Sequence, residues 1–467
     1  MNPDDQAEKE LRAAVAGAVA RPGEPGYDEA VAIWNGSITR RPSIVVRCTG
    51  PGDVAAALRY ARSAGLEVSV RGGGHGFSGF ALTEGGLMID LTPLKSVSVD
   101  PAARTAVAGG GVTWGELDAA TQAHGLAVPG GMITHTGIAG LTLGGGLGWL
   151  CTLAGLTCDN LIGAEVVTAD GALHRVGPDS EPELLWALKG GGGNFGVVTA
   201  FTYRLIPVGP LVHLATFLWR PEQGAEALRA ARDLIPGLPA DCGSFIAGTN
   251  APDAPFVPAD LRNRPGWLLA VVGFGDAESH ARAVAPVREA LPPAAEHIEA
   301  IPYTRLQSMF DHTGPWGAFS YEKAAHFDEL TDEVIDVMVE HQPRKTAHLS
   351  FTPILVMAGA YHDVPEDATA FSGGRSGRYV VNVTAVCPDR ETFDLDRVWV
   401  RNYWEALAPH AVGKGSYINF MSEYEEDRVR AAYGAAKYDR LAAVKAQYDP
   451  DNVFHLNANI KPARDSR

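Results

Sequence analysis

The chain has 467 residues, 46% of them hydrophobic, enough to fill the cores of two or three domains and without the compositional signature of disorder. Its formal charge of −16 and isoelectric point near 5.3 lack the basic footprint that phosphate backbones or anionic lipid require, which argues against a nucleic-acid partner. Five cysteines (Cys48, Cys151, Cys158, Cys242, Cys387) never stand as a CxxC pair, so neither a disulfide framework nor a metal site is signalled, and reduced, buried thiols are expected.

The chain opens with MNPDDQAEKELRAAV, acidic and without a basic region followed by an apolar stretch, so no secretory signal is expected and the cytoplasm is the expected compartment. From Ser43 to Arg71 the pattern is that of a β-α-β unit. SIVVRC is β-branched, DVAAALRYARSAG places Val54, Leu58 and Ala61 on one helical face and stops at Gly65, and LEVSV alternates. After Gly79 come the short strand patterns GLMIDL, VSVD and TAVAGGG, then the helix TWGELDAATQAHG, closing at Gly125. Residues 126–158 carry no Asp, Glu, Lys or Arg, as a membrane span would, but the eight glycines between 131 and 158 are poor helix formers. A buried segment whose backbone approaches something closely is expected instead. Strands follow at AEVVTAD and VVTAFTYRL, with ELLWALKG as a helix between them.

Glycine clusters thin out near residues 206–210, where a domain boundary is placed. Beyond it the strand-like runs VHLATFLW, WLLAVVGFG and RYVVNVTAV alternate with helical runs such as FDELTDEVIDVMVEHQ, as in a sheet covered by helices that forms one wall of a pocket. The last segment has a helix, KYDRLAAVKAQYD, with Tyr438, Leu441, Val444 and Tyr448 at core spacing, and then a tail expected to return to the first domain. The fold class read from these elements is α+β, organised as residues 1–206, a middle domain 207–411 and a returning segment 412–467.

The sharpest motif is the run Arg71-Gly72-Gly73-Gly74-His75-Gly76-Phe77-Ser78-Gly79, directly after a strand. Gly74–Gly79 and Gly191–Gly196 both match G-x-G-x-x-G formally. The dinucleotide fingerprint needs a helix opening at the motif, and neither match is followed by one, so a Rossmann fold and a nicotinamide dehydrogenase are disfavoured. Such glycines can instead let backbone N–H groups wrap a diphosphate.

VRGGGHGFSG resembles the flavin-attachment loop of the berberine bridge enzyme-like oxidases, within the vanillyl alcohol oxidase and p-cresol methylhydroxylase superfamily. Three further stretches are similar to the family's pattern: GGMITHTGIAGLTLGGGLGWL with GLTCDNL, LLWALKGGGGNFGVVTAFTYRL, and YDPDNVFHLNANIKP after SYINF. The resemblance covers residues 30–206 and 412–462 and implies a two-lobed FAD-binding domain with a separate substrate domain. It implies that His75 bonds to the 8α-methyl carbon of FAD, and that Arg71, Gly72, Gly73, Gly74, Gly76, Ser78, Gly79, Thr134, Thr136, Gly137, Gly140, Gly144, Gly145, Asp159, Asn160, Val197, Asn419, Asn457 and Asn459 surround the cofactor. Many relatives add a second link from a cysteine, but Ile133 holds that position and Cys151 and Cys158 align with no attachment site, so a single link is expected. Tyr417 resembles the tyrosine of the family's Y-x-N motif, a base for a substrate hydroxyl if its pKa is lowered. The partner carboxylate found before a Gly-Gly pair in several relatives has no counterpart in ILVMAGAYHD. Tyr303, Phe310, Tyr321 and Lys323 are the candidates for the substrate pocket. Thr136 stands where valine goes with oxidases and leucine or isoleucine with dehydrogenases, so O2 is the expected acceptor. The resulting expectation is an FAD-linked oxidase acting next to oxygen on an alcohol, sugar or natural product. An amine oxidase and a non-catalytic flavin-containing binding protein are the alternatives.

Overall fold

Residues 43–71 form the strand Ile44–Arg47, the helix Pro51–Ala64 and the strand Val68–Arg71, in a computed structural model that describes residues 3–412 and 417–463. Proline in the first turn starts that helix and Gly65, at φ 63°, ends it. The two strands are not neighbours. Leu87–Asp90 lies between them, parallel to both, and Ala18–Ala20 closes the other edge of this four-stranded sheet. A second, antiparallel sheet runs in the order 97–100, 105–109, 197–204, 161–167, 173–176. The uncharged stretch 126–158 forms the short strand Leu126–Ala127, the helices Ile138–Gly144 and Cys151–Ala154, and buried loops. No helix among the described residues is long and apolar enough to cross a membrane.

Between residues 211 and 387 lies a seven-stranded antiparallel sheet in the order 295–302, 211–219, 265–273, 242–250, 352–356, 379–387, 319–327. Successive side chains of a strand point to opposite faces, and this sheet uses both. Along Tyr379–Cys387, Tyr379, Val381, Val383, Ala385 and Cys387 pack under the helices Gly224–Leu234, Ala277–Ala290, Asp332–His341 and Arg390–Leu407. Asn382, Thr384 and Val386 face the other way and line a cavity. The same parity puts Pro353 and Leu355 on the cavity side, and Ile354 and Val356 under the helices. Three of the four covering helices begin at an acidic or hydroxyl cap, Asp276, Thr331 and Asp389, whose side chains accept a backbone N–H.

The closing helix Ala435–Tyr448 buries Tyr438, Leu441 and Val444 in the core of the second sheet. Lys445 and Asp449, both fully buried, pair at 2.6 Å. Lys445 also donates to the carbonyls of Asn194 (2.7 Å) and Phe454 (2.9 Å), and Asn194 in turn bonds Ala458 and Ile460. This knot ties the glycine loop before residue 197 to the tail. The first residues of the predicted segment 412–467, from 413 to 416, and its end, 464–467, lie outside the described residues.

Candidate active site

The loop 72–79 leaves the strand Val68–Arg71 and presses against the segment 131–137. A Cβ at Gly73 would stand 2.3 Å from the Gly137 amide nitrogen, and one at Gly137 would stand 2.4 Å from that of Gly73. Only glycine allows backbones this close. Both segments border a cavity of about 440 Å³ that runs on to residues 192–198, the tail at 456–458 and the free face of the seven-stranded sheet.

His75 lines this cavity. Its ring stacks on Trp34 with centroids 5.3 Å apart and meets Trp316 edge-on at 5.6 Å. Its Nε2 lies 2.7 Å from His135 Nδ1, and its Nδ1 lies 3.4 Å from Thr136 Oγ1. Burial, and then the neighbouring His135, push the His75 imidazole down to about 3, so the ring is neutral and its free nitrogen is a nucleophile at physiological pH.

The surroundings fit FAD. Gly76, Gly140 and Gly193 line the cavity, and a Cβ on any of them would meet nothing within 4 Å, so bare backbone faces open space there. No lysine or arginine is among the described lining residues, which leaves backbone N–H groups to meet a diphosphate. Asn457 lines the cavity with a buried Oδ1 that has no protein partner.

Toward the sheet the walls are apolar, with Phe245, Phe310, Phe351, Pro353, Leu355 and Val386, and three polar side chains interrupt them. Asn382 donates to Glu322 Oε2 at 2.6 Å, while Glu322 Oε1, Asn382 Oδ1 and Thr384 Oγ1 are buried without partners. Burial holds the Glu322 carboxyl well above the usual range, so it is a neutral acid. Tyr417 also lines the cavity. Its phenolic oxygen accepts from the Gly146 N–H (2.8 Å) and from Asn419 Nδ2 (2.7 Å). Burial raises its pKa far more than those two donors lower it. The sequence reading makes Tyr417 a base if nearby positive charge or hydrogen bonds to the phenolate lower its pKa; the hydrogen bonds are present, but burial outweighs them.

The structure brings His75, Gly72, Gly73, Gly74, Gly76, Ser78, Thr136, Gly137, Gly140, Val197, Tyr417, Asn419 and Asn457 together around the cavity. Other predicted positions stand behind it. Arg71 turns away to the carbonyls of Glu29 and Ala30. Thr134 bonds Asp311 through both its N–H (2.7 Å) and its hydroxyl (2.5 Å). Gly144 and Gly145 make room for Asn419, Phe371 and Tyr417, and the left-handed Gly79 makes room for Ile38. Asp159 forms a buried bidentate pair with Arg375 at 2.6 and 3.0 Å, Asn160 donates to the carbonyls of Ala154 and Leu156, and Asn459 keeps a buried Oδ1 without a partner.

Of the four substrate-pocket candidates, only Phe310 lines the cavity, stacked on Trp149. Tyr321 and Lys323 occupy the odd parity of the strand Phe319–Phe327 and face the helical side. There Tyr321 meets Arg401 and Glu423, and Lys323 lies over the Trp404 ring. Tyr303 is packed in the apolar core beside Leu306 and Trp149. Sequence reasoning passed over Glu322, Asn382, Thr384, Trp34 and His135. The signal for Asn382 and Thr384 was present: in VVNVTAV two polar residues share one face of an otherwise apolar strand.

A model described as an FAD binding domain matches residues 42–177, and one described as berberine and berberine-like matches residues 416–461. Over 96% of the chain and 97% of the relative, the sequence is 31% identical to (R)-6-hydroxynicotine oxidase of Paenarthrobacter nicotinovorans. The chain belongs to the berberine bridge enzyme-like FAD-linked oxidoreductases. This berberine bridge enzyme-like chain matches the crystal structure of 6-hydroxy-D-nicotine oxidase from Arthrobacter nicotinovorans with a TM-score of 0.83 at 27% identity, covering 96% of this chain and 98% of that one. BBE-like 1 of Physcomitrella patens shares the fold with a TM-score of 0.87 at 23% identity, over 98% and 99% of the two chains. The chain is an FAD-dependent oxidoreductase of this family.

Proposed function

We propose that the protein is an FAD-linked oxidase whose substrate is a largely apolar alcohol, held by its polar end at Glu322, Asn382 and Thr384. The observation that carries this reading is an apolar cavity wall broken by three polar side chains, each with an unpartnered atom. Buried polar atoms without partners are costly, so they select a ligand that supplies the missing hydrogen bonds. Three such atoms suit one or two polar groups. An oligosaccharide, with a hydroxyl on nearly every carbon, would leave most of its groups facing phenylalanine and leucine.

FAD, when bound, supplies an acceptor for hydride from a C–H bond next to oxygen. The residues that would hold it are Gly72–Gly74, Gly76, Ser78, Gly137, Gly140, Val197 and Asn457, with His75 as a single covalent anchor. A second link has no donor. Ile133 lines the cavity where the cysteine would stand, while Cys151 and Cys158 do not line it, and burial raises both thiols, Cys151 to about 12. Tyr417 would first have to give up its own phenolic proton; as the phenolate, held by hydrogen bonds from the Gly146 N–H and Asn419, it would then receive the substrate's hydroxyl proton. Thr136, at the cavity wall, leaves the approach of O2 open, with H2O2 as the second product.

One observation favours a second reading. Tyr417 is held protonated, and oxidation of a neutral amine needs no base for a hydroxyl proton, so a small cyclic amine of the kind oxidised by 6-hydroxynicotine oxidases is the rival substrate. Anaerobic mixing with panels of apolar alcohols, cyclic amines and sugars tests both, read as bleaching of the flavin's visible band. Bleaching by alcohols supports the first reading and by amines the second; bleaching by sugars alone would overturn both. Acid-precipitated protein should stay yellow, and His75→Ala should release its flavin. A colourless native pellet would sink the covalent assignment.

A further inference from the structure

We propose that His135 is the proton acceptor that lets the chain attach FAD to itself. The inference rests on the reading of His75 as the attachment residue and adds a residue to which neither the motif nor the cavity reading gave a task. His75 uses one ring nitrogen for each purpose. Nε2 lies 2.7 Å from His135 Nδ1, inside hydrogen-bond range, and Nδ1 lies 3.4 Å from the Thr136 hydroxyl at the cavity wall. Two neutral imidazoles can share such a contact only if one nitrogen donates and the other accepts. With the proton on His75 Nε2, donated to His135, the Nδ1 lone pair is free toward the cavity.

The bond-forming step then balances. His75 Nδ1 adds its lone pair to the 8α carbon of FAD, which has released one methyl proton to the ring system. A C–N bond forms, and the electron pair moves into the ring, leaving it two electrons reduced. Nε2, made acidic by the new bond, passes its proton to His135 Nδ1. Dioxygen takes the two electrons and two protons as H2O2, and the linked cofactor is restored to its oxidised state. Without an acceptor at Nε2 the alkylated ring would remain a cation in a buried site that already disfavours charge on His75.

The surroundings suit this role. The His75 ring stacks on Trp34 with one face and meets Trp316 edge-on, which fixes the plane of the ring. His135 is only half-buried, so its ring reaches solvent and can release the acquired proton there. Asp311 pins the neighbouring Thr134 by two hydrogen bonds, so the backbone around residue 135 is fixed by contacts that its side chain does not make. Substitution of His135 should therefore leave the cradle intact.

The test uses the full chain as purified, comparing the native protein with His135→Ala and His135→Asn. The readout is the fraction of flavin that stays with the acid-precipitated polypeptide, checked by intact mass. Asparagine at 135 accepts a hydrogen bond but no proton, so it separates orientation of His75 from proton removal. The native protein should carry its flavin linked, and both variants should hold FAD that acid releases. On aerobic incubation with imidazole, His135→Ala should form the link at least tenfold faster than without it, while His135→Asn should not respond. Full linkage in either variant would overturn the proposal, as would two unlinked variants indifferent to imidazole or loss of FAD binding in both. A native protein with no linked flavin would instead refute the His75 reading itself.

Discussion

Replacing Tyr417 by phenylalanine probes the site where its two proposed chemistries diverge. The lost oxygen accepts two hydrogen bonds, from the Gly146 N–H at 2.8 Å and from Asn419 Nδ2 at 2.7 Å. The second Nδ2 proton of Asn419 is already engaged with Leu141 O at 3.1 Å, so phenylalanine strands two donors, the buried Gly146 N–H and the half-buried Asn419 amide. At about 1–3 kcal/mol for each stranded donor, the loss is roughly 2–6 kcal/mol, expected as a fall of several degrees in thermal midpoint. The catalytic loss is separate. A positioned proton acceptor contributes about 10²–10⁴-fold, so flavin reduction by an alcohol should slow by at least about a hundredfold, whereas reduction by a neutral amine should change little. Stopped-flow anaerobic reduction at saturating substrate, normalised to bound flavin, measures the rate, and thermal unfolding measures the stability. Reduction by an alcohol at the native rate, in a variant that retains its flavin, would refute the role given to Tyr417.

Three further outcomes are expected. Glu322→Gln should be increasingly more stable than the native protein as pH rises. Burial holds the folded carboxyl well above the usual 4.5, so above that pH the native fold keeps a proton that the unfolded chain releases, and its stability falls by about 1.4 kcal/mol per pH unit until the folded group ionises. A thermal-midpoint difference that stays constant from pH 5 to 8 would contradict the neutral carboxyl. Lys445→Met should cost roughly 3–5 kcal/mol in denaturant unfolding, because it leaves Asp449 buried without its ion-pair partner, and it should loosen flavin retention by removing the bond from the closing helix to the Asn194 carbonyl. Thr136→Leu should slow reoxidation of the reduced enzyme by O2 by tenfold or more, about 1.4 kcal/mol of barrier, while Thr136→Val should leave it unchanged, both read by mixing with aerated buffer.

The glycine-lined side of the cavity is legible in the sequence because backbone geometry dictates its residues. Gly73 and Gly137 are glycines for a local reason, a close approach no other residue allows, so their pattern survives in any chain that needs the approach. His75 stands out for the same reason, as the one chemical group in a run of glycines. The β-α-β unit was readable too, but not its sheet order, since pairing across Leu87–Asp90 depends on contacts far apart in sequence. The sheet side of the cavity is less legible because it is built from alternate residues of strands whose two faces are both buried. Lys323 and Glu322 are neighbours in the chain, and only the register of Phe319–Phe327 against Tyr379–Cys387 decides which of them meets the cavity. A one-residue slip would exchange them. In FSYEKAAHF the adjacent charged residues Glu322 and Lys323 offer no local pattern that tells which of them meets the cavity.

The same parity ties the substrate question to two protons. Glu322 and Tyr417 line one cavity and burial keeps both neutral, so the site holds two exchangeable protons and no fixed charge on either group. An alcohol entering it can donate to Glu322 Oε1 or accept from Thr384 without disturbing either proton, and its own hydroxyl proton must then leave as hydride departs. A charged amine faces a different balance. It would ionise Glu322 by pairing with it, gaining attraction in a water-poor site, yet it must give up a proton before its C–H bond can be oxidised, and the ionised Glu322 is placed to take that proton back. Glutamine at 322 separates these cases without altering the shape of the wall. It keeps a partner for a hydroxyl, so an alcohol should bind with a modest change in KM. It cannot ionise, so a cationic amine should lose the charge-assisted hydrogen bond, worth about 1.5–3 kcal/mol, and bind roughly 10 to 150 times more weakly. Equal weakening of both substrate classes would show that Glu322 discriminates neither and that the polar trio only shapes the cavity.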